Sequence, residues 1–304
     1  MNKYSYGFWR VYSVIIILFF VSFGVTCLFA QEQDAADADQ QINDFSLCGY
    51  GEKGKKTWDI SGKTADIFTD IIKLNQVKGN LYGEKEDIKL AALEGDFNKK
   101  ESKMHLEKDV VITTSSGARL TTDSLDWDKR NNIITTADPV NIDRDNMITK
   151  AIGAVGQPGL NKVELKKDVK VEILPQEDKK AQKGFNNNKV VITCDGPLLI
   201  DYEKNLATFN NNVKVDREDS QIYSDTMDIF FNKSTAEQDN SSPSLLNSKI
   251  NKIIARDNVK IVRGENISYS DEAVYDASNR KIILSGKPKL VIYSSEDMNA
   301  PSGN

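Results

Sequence analysis

From residue 57 onward the apolar positions recur every second residue, and no stretch shows the 3.6-residue stripe of an amphipathic helix. Short β-branched runs stand out: Val110-Val111-Ile112, Val169-Lys170-Val171, Val213-Lys214-Val215 and Val259-Lys260-Ile261. Each is bounded by Asn, Asp, Gly or Lys, the residues that reverse or interrupt strands. The alternation therefore predicts strands joined by polar turns. Four segments fall outside it. Residues 31–56 are acidic and polar and read as a tether. Residues 175–189 are polar and of low complexity and read as an interdomain linker. Residues 233–247 read as a flexible loop, and residues 294–304 as a disordered tail.

The strands repeat. One unit runs from Thr122-Asp123-Ser124-Leu125-Asp126-Trp127 through a turn to Ile133-Ile134 and Pro139-Val140-Asn141-Ile142. A second runs from Ser224-Asp225 to Asn258-Val259, and a third from Ser270-Asp271 to Pro288. Val110, Val140, Val169, Val213 and Val259 are spaced by 29 to 31 residues once the two 15-residue segments 175–189 and 233–247 are treated as insertions. Each unit is a hairpin in which an aromatic closes the first strand and Asp or Asn opens the turn. One hairpin cannot bury its apolar face alone, so neighbouring units must stack. Pro139 and Pro288 cannot donate to a ladder and predict bulges or edges at strand starts. Gly62, Gly153 and Gly286 read as bulge or turn positions. The expected fold is all-β, with two consecutive antiparallel sheets over residues 57–174 and 190–293 folded over an apolar interior, the second docked head to tail and continuing the stack of the first, because the repeat period runs on across 175–189.

The N-terminus is different. Residues 11–30 are 20 uncharged, mostly apolar positions that include Val11, Ile16, Phe20 and Ala30. As a helix they would span about 30 Å, the thickness of a bilayer core. Lys3 and Arg10 precede the segment, and Glu32, Asp34, Asp37 and Asp39 follow it, which puts residues 1–10 in the cytoplasm and the rest of the chain outside. A signal peptide cut after Ala30 is the competing reading, although Leu28 is large for an A-x-A site. A lipoprotein cut before Cys27 would need a better approach than Gly24-Val25-Thr26. A retained transmembrane helix is the reading adopted, and every version exports the bulk of the chain.

Charge and composition remove several function classes. Against 45 acidic residues stand 40 basic ones, a net charge of −5, so nothing balances a phosphate backbone and nucleic acid is not expected as a partner. The chain holds one His, His105, and three Cys. That leaves little for a zinc site, a His-based triad or a disulfide framework. No catalysis, metal or cofactor is expected. Asp123, Asp195, Asp225 and Asp271 recur one repeat apart and read as turn or strand-edge positions, not a converging acid set. His105 reads as a solvated strand residue. Trp127, Phe97, Tyr202, Phe231 and Tyr275 serve either core packing or lipid contact. Cys48 and Cys194 read as free buried thiols.

Two stretches resemble known families. Trp58-Asp59-Ile60-Ser61-Gly62-Lys63-Thr64-Ala65, Leu106-Glu107-Lys108-Asp109-Val110-Val111-Ile112, Gly117 to Leu125, Asp138-Pro139-Val140 and Leu165-Lys166-Lys167-Asp168-Val169 resemble the LptC family of lipopolysaccharide-export proteins. Ile192-Thr193-Cys194-Asp195, Ala207-Thr208-Phe209 with Asn212-Val213-Lys214-Val215, and Tyr275-Asp276 with Ile283-Leu284-Ser285-Gly286 resemble the LptA or OstA-like bridge domain. A fusion departs from the usual separate polypeptides. The resemblance implies an open β-jellyroll in each domain and a place at the cell inner membrane, with the bulk in the periplasm. It implies a carrier that takes lipopolysaccharide from the permease subunits of an inner-membrane ABC transporter along an apolar groove. Further bridge or outer-membrane translocon proteins would join by edge-strand pairing. Alternating positions give the groove candidates: Val110, Ile112, Leu125, Trp127, Val140, Ile142, Val169 and Val171, then Val213, Val215, Ile229, Phe231, Val259 and Ile261. The competing class is a structural β-solenoid or adhesin that shares the repeat without transporting lipid.

Overall fold

The computed structural model describes residues 38–51, 54–83, 87–144, 146–157, 160–174, 189–231, 250–279 and 281–293. The expected anchor at 11–30, the linker up to residue 188, the 233–247 loop and the tail lie outside them. Among the described residues the regular elements are all strands. The LptC-like half holds β1 (Gln40–Tyr50), β2 (Lys56–Ile67), β3 (Ile71–Leu81), β4 (Ile88–Asn98), β5 (Lys103–Thr114), β6 (Arg119–Asp128), β7 (Ile133–Arg144), β8 (Met147–Gln157) and β9 (Lys162–Ile173). The second half holds β10 (Val190–Cys194), β11 (Leu198–Asp201), β12 (Leu206–Arg217), β13 (Ser220–Phe231), β14 (Ile250–Arg263), β15 (Asn266–Asp276), β16 (Lys281–Ser285) and β17 (Lys289–Val291).

From β1 to β10 and again from β12 to β16, each strand pairs antiparallel with the next in sequence, so the sheet is a meander without crossovers. β10 and β11 together fill one slot between β9 and β12. β16 and β17 fill the last slot beside β15. The halves are not separated at the linker. Ile173 faces Val190 and Val169 faces Cys194, and Leu165 to Lys162 continue the register against Leu198 to Asp201. From Asp39 onward the described residues belong to one compact unit.

One boundary is corrected. The stretch 31–56, expected from its charge to be a tether, contains β1, paired with β2 from Gln40↔Ile67 to Tyr50↔Lys56. Its alternation is interrupted at Asp44, where φ is +51°, and Phe45 resumes it as a buried residue packed on Gly62. Composition hid a strand whose pattern has a one-residue phase slip.

Mid-strand bends of this kind recur through the fold. Polar residues at positive φ interrupt the strands in midcourse: Gln76 in β3, Lys108 and Asp109 in β5, Asp168 in β9, Asn211 and Asn212 in β12, Asp257 and Asn258 in β14. Asn and Asp enter the left-handed region more readily than other non-glycine residues, and a bulge there bends the strand. Pairing slips at the same places, between Glu107 and Val110, Asn210 and Val213, and Arg256 and Val259. Right after each bend comes Val77, Val110, Val169, Val213 or Val259, none more than 1 % exposed. In β7 the pairing slips between Thr136 and Pro139, before buried Val140, so Pro139 marks a bulge inside a strand and not at its start.

The bends fold the sheet onto itself. Trp58 is the third residue of β2, and Lys129 follows the end of β6, four strands away and at the opposite end of the ladder. In a flat sheet about 30 Å of strand would part them. Yet the Lys129 ammonium stands 4.6 Å from the Trp58 ring centre. Two buried clusters occupy the fold: one from Phe45 to Leu125, the other from Val140 to Ala273, spanning the β9–β10 junction.

The break between β10 and β11 is the tightest corner. Gly196 has φ +100°, and a β-carbon there would sit 2.2 Å from the Lys166 carbonyl oxygen. Gly196→Ala is expected to cost at least about 2 kcal/mol, through an unfavourable φ and a backbone clash that cannot relax. Urea unfolding checks it; a midpoint equal to the parent's would show that the corner is not constrained.

Candidate functional site: the apolar inner face

The inner face is the set of positions in phase with the corner valines. All fourteen groove candidates occupy it, but at two depths. Val110, Leu125, Val140, Val169, Val171, Val213, Val215, Phe231 and Val259 are buried. Their side chains pack on one another where the sheet folds, so they hold the fold closed and offer little surface. Ile112, Trp127, Ile142, Ile229 and Ile261 are half-buried and pack on the margins of the two clusters, nearer the strand ends.

Several inward residues escape the repeat: Phe45, Val77 and Leu74 in the first strands, then Leu106, Leu165 and Met227. The signal was present for Val77, which follows Gln76 as Val213 follows Asn212. Leu106 and Leu165 stand four residues before Val110 and Val169 and stay in phase with them across the bend, so plain alternation already pointed to them. At the two ends of the sheet the inner face is uncovered. Leu47 of β1, opposite Ile60, is exposed, as are Ile282, opposite Tyr275, and Leu290, opposite Ser268. Among the described residues β1 pairs only with β2, and β16 and β17 only with β15, so both terminal edges present backbone groups with no strand partner among them.

Among the described residues the fully buried polar side chains of the inner face are small. Thr122, Thr136, Thr149, Ser224 and Ser270 are buried, and the Thr122 and Thr136 hydroxyls lie 3.3 Å apart. The outer face is charged. Lys214, Tyr223 and Lys260 are cross-strand neighbours, with the two ammonium groups 5.9 and 5.6 Å from the ring centre.

The recurring aspartates sit beside the bends, on alternate strands. Asn258 donates to Asp225 at 2.7 Å, the Asn212 amide donates to Asp195, and the Asp271 N–H donates to the Gly286 carbonyl at 3.1 Å. Strands two slots apart are about 10 Å apart, so these carboxylates do not converge. Turn or strand-edge positions are the expectation; Asp225 and Asp271 lie at mid-strand bends and Asp195 at the corner between β10 and β11. His105 is solvent-exposed and lies 2.7 Å from Asp126 across the β5–β6 ladder. Cys194 is buried on the inner face opposite Val169, and its thiol is pushed up by desolvation. Cys48 is exposed, not buried as expected, because it lies opposite Asp59 on the outer face of β1.

Two carboxylates clamp the outer face. Asp59 is held at about 2, first by the Lys56 ammonium at 2.7 Å, then by donors from Asn80 and Tyr82. Glu172 is held at about 2 by Lys170 at 2.6 Å and Lys189 at 2.7 Å, which ties β9 to the first residue described after the linker. Depressed carboxyl values stabilise the folded state above the unfolded values near 4, and that stabilisation disappears as pH falls towards about 2. Asp59→Asn should therefore flatten the acid limb of the stability profile between about pH 4 and about pH 2. Denaturant midpoints across that range are the check, and an unchanged acid limb would contradict the assignment.

Residues 13–173 match the family described as lipopolysaccharide-assembly, LptC-related, which is more than half of the chain. The chain belongs to the LptC family. Residues 198–304 match a second family, described as LptA/(LptD N-terminal domain) LPS transport protein, so an LptC region is fused to an LptA-like one. The first match ends at the last residue of β9 and the second begins at the first of β11. β10 lies between them and zips one region to the other. Among solved structures the chain is similar to LptH, the LptA-homologous periplasmic component of the lipopolysaccharide transport device of Pseudomonas aeruginosa. That likeness has 11 % identity and a TM-score of 0.17, and it covers 68 % of this chain and 95 % of the other. No curated protein matches the chain.

Proposed function

We propose that this LptC–LptA fusion carries lipopolysaccharide along its inner face, from an inner-membrane ABC transporter towards the outer membrane, as a carrier and not a catalyst. The observation that supports this most is the unbroken β9–β10–β12 pairing, which continues one apolar face from the LptC region into the LptA-like region. Acyl chains cost about 0.8 kcal/mol per CH₂ exposed to water, so transfer needs an apolar surface without a gap at the domain junction. Residues 11–30 anchor the chain in the inner membrane, with the sheet in the periplasm. Permease subunits receive β1 at one edge, and a further bridge or translocon protein pairs with β16 and β17 at the other, where Ile282 and Leu290 continue the apolar face. The half-buried positions are the lipid-contacting ones. A photocrosslinking amino acid at Ile112, Ile142, Ile229 or Ile261 is expected to capture lipopolysaccharide in cells, whereas one at Lys214 or Lys260 on the outer face is not. Capture at none of the four inner positions would refute the reading.

A further inference from the structure

Three strands end on arginine at one position of the repeat. Val140-Asn141-Ile142-Asp143-Arg144 closes β7, Val213-Lys214-Val215-Asp216-Arg217 closes β12, and Val259-Lys260-Ile261-Val262-Arg263 closes β14. Each arginine stands four residues beyond its corner valine, so strand alternation puts it on the inner face, at the rim where the strand gives way to a hairpin. The pairing confirms the row. Arg144 faces Met147, Met147 faces Ile173, Ile173 faces Val190, Val190 faces Arg217, and Arg217 faces Ser220. Met147, Ile173 and Val190 all pack on the second core. An apolar strip about 19 Å wide, four strand spacings, thus has a guanidinium at either end.

Arg217 and Arg263 converge on one carboxylate. The Arg217 Nε is 3.5 Å from Asp219 Oδ1, and an Arg263 terminal nitrogen is 4.0 Å from Asp219 Oδ2. The Arg217 side chain is 14 % exposed and that of Arg263 79 %. One guanidinium is thereby fixed in the wall and the other can swing from the rim. Asp219 occupies the place an anion would take between them.

We infer that this rim is an anion subsite, which takes the phosphate groups of the lipid headgroup while the acyl chains lie on the apolar face below. Arginine suits the task. Its planar fork matches phosphate oxygens, and it carries charge at any physiological pH. All three positions hold Arg, although Lys is abundant on the outer face. A lipid with an anionic head and apolar tails needs these two surfaces side by side, and the alternation Val-x-Ile/Val-x-Arg supplies them within one strand. Asp219 competes with the phosphate, so it keeps the guanidiniums ordered when the subsite is empty and weakens binding when it is filled.

This rests on the lipid-carrier reading, and the test separates the two. The full chain in detergent is titrated with purified lipopolysaccharide and with the same material after chemical removal of its phosphates. Arg263→Gln and Arg217→Gln/Arg263→Gln are expected to weaken binding of the phosphorylated lipid roughly tenfold or more and leave the dephosphorylated lipid unchanged. Asp219→Asn should tighten the phosphorylated lipid alone, an effect that loss of a structural ion pair would not produce. Arg263 is solvent-exposed, so its variant reads out even if a change at Arg217 disturbs folding. Equal binding of the two lipids by the parent chain, or the same loss for both in the arginine variants, overturns the subsite and leaves the carrier reading intact. Binding of neither lipid by the parent chain overturns both.

Discussion

Val110→Asp is expected to abolish the cooperative unfolding transition of the chain. Val110 has no solvent-exposed surface and follows the two-residue bend of β5 at Lys108 and Asp109. It faces Thr122 across the ladder, and its neighbours in the first core are Leu106 and Leu125. A carboxylate there would be packed among the apolar side chains of the first core. Burying it charged or forcing it neutral costs several kcal/mol, and the lost methyl packing adds to that, for a total above about 4 kcal/mol. That is a large share of the 5–15 kcal/mol typical of a folded domain. Val213→Asp and Val259→Asp should behave alike in the second core, because each repeats the polar-bend-then-valine step. Circular dichroism against denaturant tests this, and a variant that keeps the parent's midpoint would mean the corner is open to water. Ile112→Asp, two residues further along β5 and half-buried, should be milder.

The second expectation separates folding from transport. Arginine at Ile112, Ile142, Ile229 or Ile261 should leave a folded protein that no longer supports lipopolysaccharide export. These side chains sit between the sealed corner and the rim, so an arginine can lay its methylenes on the apolar face and turn its head towards the opening. The stability loss should stay within about 1–2 kcal/mol, since the group is not fully desolvated. The acyl path would nevertheless hold a fixed charge. Growth on depletion of the wild-type gene and surface lipopolysaccharide are the readouts, with thermal melts alongside. Four folded variants that export normally would remove the inner face from the transport route. The same substitution at Val110 could not make this distinction, because a failure to fold and a blocked path look alike there.

How much of this was legible beforehand follows from how local each feature is. The five repeat valines were readable because an Asn, Asp or Pro before a β-branched residue is a pattern within one strand. The inward direction of Ile112 or Val215 followed from alternation alone. β1 was not readable. Its acidic flank resembles a tether, and Asp44 shifts the alternation by one residue, so Phe45 looks out of phase until Gly62 is seen beneath its ring. Leu106 and Leu165, four residues before Val110 and Val169, lie in phase with them and were open to the same alternation. The arginine row was in the sequence as Val-x-Ile/Val-x-Arg, but nothing marked it as one row until strand pairing put Arg144 and Arg217 on a common line with Met147, Ile173 and Val190.

The sequence by itself determined an all-β chain of 30-residue hairpin units, the bend positions and the face each strand turns inward, because these follow from φ preferences and a two-residue period. Tertiary structure alone decided which inward residues are sealed and which remain open. That depends on how far the two arms of the sheet close over each other, as the Trp58–Lys129 contact shows. That the second region continues the sheet of the first was legible too, in the period of about 29 residues that runs on across residues 175–189. The structure alone decided the register there: which residues of β9 face β10 and β11 rests on backbone hydrogen bonds, which nearly every residue type can form and which leave no mark in residue type.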